Sequence, residues 1–154
     1  MIARLFLDMD NTIAENQTCQ NIPFTPGLYL NKRPIQIVLD AIQELYPVPI
    51  VIISKPQGGT AGIQEKLQWL QEQTTLQPVD FIFLQPDQPY YYKAVLIDQY
   101  CQQHDIPINQ TLIIDDSKQV LQYCQAYNIQ TKYPQQVICD YEATLRKEHT
   151  YGIR

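Results

Sequence analysis

Leu5-Phe6-Leu7-Asp8-Met9-Asp10-Asn11-Thr12 is the stretch on which the fold turns. From Ile2 to Leu7 the chain is apolar, interrupted only by Arg4. Such a run predicts a strand buried on both faces of a parallel sheet. It then changes abruptly to two aspartates spaced i, i+2. In a continuing strand Asp8 and Asp10 would share a face. At a strand's C-terminal end they instead point into the crevice where open α/β sheets bind ligands. Two carboxylates ~4 Å apart repel by roughly 4 kcal/mol at an effective dielectric near 20. A divalent cation between them, or a proton on one, relieves that repulsion.

Working outward, the composition sets bounds. The 154 residues suit one domain, residues 1–154, around one core. A hydrophobic fraction of 45% and a charged fraction of 18% are those of an ordinary soluble globular protein. The net charge of −5 and pI near 4.8 argue against a basic nucleic-acid groove or binding to an anionic membrane. No stretch has the ~20 apolar residues of a transmembrane helix, and no signal peptide precedes the first strand, so a cytoplasmic location is expected. Cys19, Cys101, Cys124 and Cys139 show neither CxxC spacing nor a nearby His pair and read as reduced thiols, two of them in helix cores.

Residues 13–33 have no clear period but contain Pro23, Pro26 and Gly27 and the apolar Phe24, Leu28, Tyr29 and Leu30. Two readings stand open: a surface loop packed on the domain, or a small cap over the site, since long loops without structure of their own are often lids. Pro34 sits where a first helical residue is expected, and Ile35, Val38, Ile42 and Leu45 follow at helical spacing until Pro47. Pro49–Ile53 predicts a second buried strand. It leads into Ser54-Lys55-Pro56-Gln57-Gly58-Gly59, where a hydroxyl, an ammonium and a Gly pair suit a phosphate. Thr60 is expected to cap the next helix, with Ile63, Leu67 and Leu70 inward and Trp69 packed beside them.

Val79–Leu84 predicts a third strand. Pro89-Tyr90-Tyr91-Tyr92-Lys93 leads into a helix with Ala94, Ile97, Cys101 and His104 on one face. A lysine in a first helical turn opposes the helix dipole, so Lys93 is either solvated or beside something anionic. Thr111–Ile114 predicts a fourth strand ending in Asp115-Asp116-Ser117, then a helix with Val120, Leu121 and Cys124 inward. Ile129–Lys132 predicts a fifth strand, and 140–154 reads as a polar, partly helical tail.

Strands alternating with helices over short connections imply a five-stranded parallel sheet covered on both faces, a three-layer α/β/α fold. The C-terminal ends of its strands lie at one edge. Asp8 and Asp10, Ser54, and Asp115 and Asp116 all follow strands and so converge there. A cluster of acids needs a cation, and all-oxygen ligands suit Mg²⁺. Acids, a metal, a lysine and a hydroxyl together suit a phosphomonoester: a metal and Lys93 offset charge, Ser54 donates a hydrogen bond, an aspartate attacks, and a second carboxyl moves the proton.

Asp8-Met9-Asp10-Asn11-Thr12 resembles the DxDxT motif of the haloacid dehalogenase superfamily. Ser54 resembles its second motif, Lys93 its third, and Asp115-Asp116 the DD form of its fourth. The resemblance implies a Rossmannoid phosphatase core with a small cap insertion at 13–33. It makes Asp8 the nucleophile and Asp10 the general acid/base. Mg²⁺ would be held by Asp8, by the Asp10 carbonyl, and by at least one of Asp115 and Asp116. Thr12, Ser54, Lys55 and Lys93 are the phosphate-binding candidates. Within the superfamily the chain looks like the 5′(3′)-deoxyribonucleotidase type, through the DD motif, the Pro-rich aromatic segment and Lys66-Leu67-Gln68-Trp69-Leu70. That likeness implies a nucleoside monophosphate substrate, with Phe24 and Tyr29 as cap contacts. Three alternatives are weighed: an inactive binding protein on the same fold, a phosphatase of sugar phosphates or macromolecules, and a phospho-accepting receiver-like domain. The last would need its aspartate after the third strand, where only Asp87 is available.

Overall fold

The computed structural model describes residues 1–16 and 23–151. Cys19, part of the 13–33 segment and residues 152–154 of the tail lie outside the described residues. Five parallel strands form one sheet in the order β3-β2-β1-β4-β5. They are β1 (Arg4–Leu7), β2 (Ile50–Ser54), β3 (Asp80–Phe83), β4 (Thr111–Ile114) and β5 (Gln130–Lys132). The helices are α1 (Gln36–Leu45), α2 (Gly59–Gln73), α3 (Lys93–Gln103), α4 (Lys118–Ala126) and α5 (Pro134–Tyr151). A 3-10 turn, Tyr90–Tyr92, opens α3.

The period of two in the strands sorts the core into two layers. Leu5, Leu7, Ile52, Leu112 and Ile114 pack with Val38, Ile42, Trp69, Leu70 and Val137, from α1, α2 and α5. Phe6, Val51, Ile53 and Ile113 pack on the other face with Ala94, Ile97, Cys101, Val120, Leu121 and Cys124, from α3 and α4. β1 is central because it is buried on both faces and paired on both edges, in register Leu7↔Ile52 and Leu7↔Ile114. That register aligns the ends of β1, β2 and β4, and therefore the residues that follow them.

Three boundaries differ from the sequence expectation. α1 begins at Gln36 and not at Pro34, because the chain is still extended there: Ala14 bridges Pro34, and the Ile35 N–H donates to the Ile13 carbonyl at 2.7 Å. Thr60 caps nothing; the N-cap of α2 is Gly58, in the left-handed region at φ 79°. The tail is one 18-residue helix that starts at Pro134 and buries Val137.

The inward face of α2 is also corrected. Gly62, Lys66, Trp69 and Leu70 are buried, while Ile63 and Leu67 are only half-buried. The helix is turned because Lys66 carries its charge to a carboxylate inside. Gly62 permits this: a Cβ there would lie 1.7 Å from the Gln57 carbonyl oxygen. That clash is with backbone, so Gly62→Ala must force α2 and the Gln57 turn before it apart, at a cost of about 1–3 kcal/mol or more. A clearly lower midpoint in urea unfolding is the expected result; an unchanged midpoint would mean that α2 does not approach so closely.

Candidate active site

The sheet edge gathers the predicted residues into one cavity of about 340 Å³, lined in part by Asp8, Asp10, Ser54, Lys93, Asp115 and Asp116. Asp8 leaves the end of β1, Ser54 ends β2, and Asp115 and Asp116 follow β4. Lys93 comes in from the first residue of α3 and is 2% exposed. Its ammonium donates to Asp8 Oδ1 at 2.8 Å and to Asp115 Oδ2 at 2.7 Å. The anion that compensates its place against the helix dipole is therefore a pair of aspartates. Burial opposes the charge on Lys93, but Asp8 and Asp115 outweigh it and raise its pKa above the usual lysine value.

Thr12 is fully buried and donates its hydroxyl to Asp8 Oδ2 at 2.8 Å. It orients Asp8 and is not among the residues on the cavity wall. Asn11 adopts φ 61°, a left-handed conformation that asparagine tolerates, and its N–H donates to the Ala14 carbonyl. This turn follows Asp10 and folds Thr12 back toward Asp8, with the N–H groups of Thr12, Ile13 and Ala14 donating to the Met9 carbonyl.

Carboxylate oxygens of Asp8, Asp115 and Asp116 lie within 4.8 Å of one another. Burial, and then the charge of Asp8, push Asp115 up to about 6 and Asp116 up to about 7. Even with Lys93 present the cluster is short of positive charge. An all-oxygen donor set under that repulsion fits a hard divalent cation.

Asp10 has a different setting. Its carboxylate is not in the three-acid cluster; Lys32 donates to Oδ1 and Lys66 to Oδ2, the latter at 2.9 Å. Burial would raise its pKa, but the two ammonium groups prevail and hold it below the usual carboxylate range. Lys66 is fully buried, and its nitrogen lies 4.2 Å from the centroid of the Tyr29 ring. Lys32 lies 5.2 Å from the same ring.

Sequence reasoning gave Lys66 no role at the site. The available signal was a lysine inside an apolar stripe, at i+4 from Gly62 and i−3 from Trp69. A buried lysine requires a buried partner, and Asp10 was the unmatched acid.

Residues 23–33 are pinned to α2. Glu65 accepts the N–H groups of Gly27 and Tyr29 at 2.8 and 3.1 Å. The Gln57 N–H donates to the Tyr29 hydroxyl at 2.7 Å, and the Trp69 indole donates to the Lys32 carbonyl at 2.8 Å. Tyr29 reaches the cavity wall but is 5% exposed. Phe24 packs over Gly58 and beside Tyr29 and is not on the wall. Lys55 is on the wall, with its nitrogen 4.9 Å from the centroid of the Tyr90 ring. His104 caps the far end of α3 and stacks on Tyr100, so it takes no part.

The chain has the α/β/α fold seen in haloacid-dehalogenase-like proteins. No protein-family model and no curated protein matches the sequence. Among solved structures it is similar to the N-terminal part of a Bacteroides fragilis protein, containing a phosphatase domain complexed with Mg (17% identity, TM-score 0.61). That match covers 85% of this chain, which spans only 35% of the other. It is also similar to a HAD family enzyme of Bacteroides thetaiotaomicron complexed with magnesium and inorganic phosphate (12% identity, TM-score 0.57, 86% and 94% covered). A third is the D,D-heptose 1,7-bisphosphate phosphatase of Burkholderia thailandensis (14% identity, TM-score 0.55, 82% and 74% covered). No helix among the described residues is long and apolar enough to cross a membrane.

Proposed function

We propose that the protein is a Mg²⁺-dependent phosphomonoester hydrolase working through an aspartyl-phosphate on Asp8. The observation that carries this reading is Lys93, buried and bridging Asp8 to Asp115 beside Asp116. The magnesium complexes among proteins of this fold support it. Asp8, Asp115 and Asp116 would hold the ion together with the Asp10 carbonyl, and the bound ion would offset charge between the attacking carboxylate and the phosphate.

Asp8, oriented by Thr12 and Lys93, attacks phosphorus, and the bond to the leaving oxygen breaks. Ser54 and Lys93 donate to the phosphoryl oxygens. Asp10 serves as acid and base. As held between Lys32 and Lys66 it is in the form that accepts a proton, and so is ready to deprotonate the water that cleaves the aspartyl-phosphate. To protonate a leaving alkoxide it must first be released by Lys32, which is on the cavity wall, and take up a proton from solvent; giving that proton to the leaving oxygen returns it to the carboxylate that deprotonates the water. Residues 13–33 act as a small cap.

The substrate in this reading is a small phosphomonoester. The finer reading, a nucleoside monophosphate, rests on one aromatic at the cavity mouth, Tyr90, which is 52% exposed. Phosphate release from a panel of nucleotides, sugar phosphates and aryl phosphates, with and without Mg²⁺, tests both levels. Turnover of none of them would favour an inactive binding protein on this fold.

Proton linkage gives a further prediction. Asp115 and Asp116 titrate above the ordinary carboxylate value. The folded apoprotein therefore binds more protons than the unfolded chain between about pH 4 and about pH 7, and its stability falls as pH rises through that window. A cation needs the deprotonated carboxylates and relieves their repulsion. Excess MgCl₂ is expected to raise Tm by more at about pH 8 than at about pH 5. An equal rise at both, or none, would remove the ion from this cluster.

A further inference from the structure

Three lysines line the cavity among the described residues: Lys32, Lys55 and Lys93. Lys32 is paired with Asp10, and Lys93 with Asp8 and Asp115. Lys55 has no carboxylate partner among the described residues. Its ammonium lies instead over Tyr90, 4.9 Å from the ring centroid. A cation over an aromatic face is weakly held, and its hydrogen-bond donors stay open to an anion.

Position decides what that anion is. Ser54, one residue earlier, is 1% exposed at the floor of the cavity with Asp8, Lys93 and Asp115. Tyr90 is half exposed, so the ammonium on its ring stands at the mouth. The ring is nevertheless close to the floor in chain terms: Tyr90 opens the 3-10 turn that runs straight into Lys93. Its hydroxyl is pushed up by burial and then by the charge of Asp10, so it lies in the field of the acids. At about 340 Å³ the cavity has room for a phosphate and a small leaving group. Lys55 is on the wall of that same cavity, and is thus open to the leaving part of a phosphoester seated on the floor.

We infer that Lys55, seated on Tyr90 at the mouth of the cavity, binds a second anionic group, phosphate or carboxylate, carried by the leaving part of the substrate. This rests on the phosphatase reading and names its substrate class; a nucleotide that met it would be a nucleoside bisphosphate. It takes Lys55 away from the transferred phosphate, where the Ser-Lys sequence alone would put it.

The test uses non-hydrolysable ligands, so it does not depend on turnover. Binding of propylphosphonate, of propane carrying a phosphonate at each end, and of phosphonobutanoate is measured by calorimetry with MgCl₂ present. The two ligands with a second anion are expected to bind the wild type about tenfold tighter than propylphosphonate, on the scale of a hydrogen bond to a charged group. Comparing those two distinguishes a phosphate from a carboxylate at the subsite. Lys55→Gln should erase the advantage and Lys55→Arg should keep it. No advantage in the wild type overturns the inference. So does an equal loss for all three ligands in Lys55→Gln, which would put Lys55 on the transferred phosphate. A Lys55-dependent preference without hydrolysis of any ester would sink the phosphatase reading and leave the subsite standing; hydrolysis without the preference would do the reverse.

Discussion

Asp8→Asn is expected to lower kcat at least ~10³-fold, a loss of about 4 kcal/mol of transition-state stabilisation. An amide oxygen is too poor a nucleophile to form the phosphoryl intermediate. The protein should stay folded. The substituted amide still offers an oxygen to Lys93, and Thr12 can turn its hydroxyl to accept from the amide nitrogen. The change also removes one negative charge from a cluster in which Asp115 and Asp116 are pushed up by burial and then by Asp8. Tm of the apoprotein should therefore fall little or rise. The checks are steady-state phosphate release with Mg²⁺ present and a thermal melt. Retention of more than a few per cent of wild-type kcat would rule out the covalent route through Asp8, whatever the substrate.

Lys93→Ala is expected to fail in two ways at once. In catalysis it removes the cation set between Asp8 and the transferring group, and kcat/KM should drop at least ~10²-fold, or about 2.7 kcal/mol. In stability it leaves Asp8 and Asp115, both nearly buried, facing one another without their bridge. Removing one partner of a buried ion pair costs about 3–5 kcal/mol. MgCl₂ should restore much of that stability and little of the activity, since a cation can relieve the acids but does not supply the hydrogen bonds of Lys93. An unchanged kcat/KM would exclude Lys93 from the phosphoryl site. An unchanged apoprotein Tm would contradict the bridged geometry.

Local pattern made the architecture and the floor of the site legible. The apolar runs at Leu5–Leu7, Ile50–Ile53 and Thr111–Ile114 are strands buried on both faces, and each is followed at once by polar residues. Once the strands are parallel, those polar residues must share an edge, because every strand of such a sheet ends on the same side. Asp8, Ser54, Asp115 and Asp116 can therefore be grouped from the order of the chain alone. Lys93 was left open between solvent and an anion, and the structure sets it between Asp8 and Asp115.

What the chain's order left open was decided by contacts between distant residues. Lys66 follows Asp10 by 56 residues, and no local period says that one will neutralise the other. Hydrophobic periodicity put Ile63 and Leu67 inside α2, yet the helix turned to bury Lys66, whose ammonium must have a buried partner and finds it in Asp10, and two aliphatic side chains are left half-exposed. The same holds for Tyr29. The sequence offered an aromatic in a cap segment, and the fold set it under Gln57 with two ammonium groups against its ring. By itself the sequence determined which residues form the acidic edge, because strand ends obey a rule of topology. Only the tertiary structure decided how charges around that edge are matched, because an ion pair depends on distance in space and leaves no period in the chain.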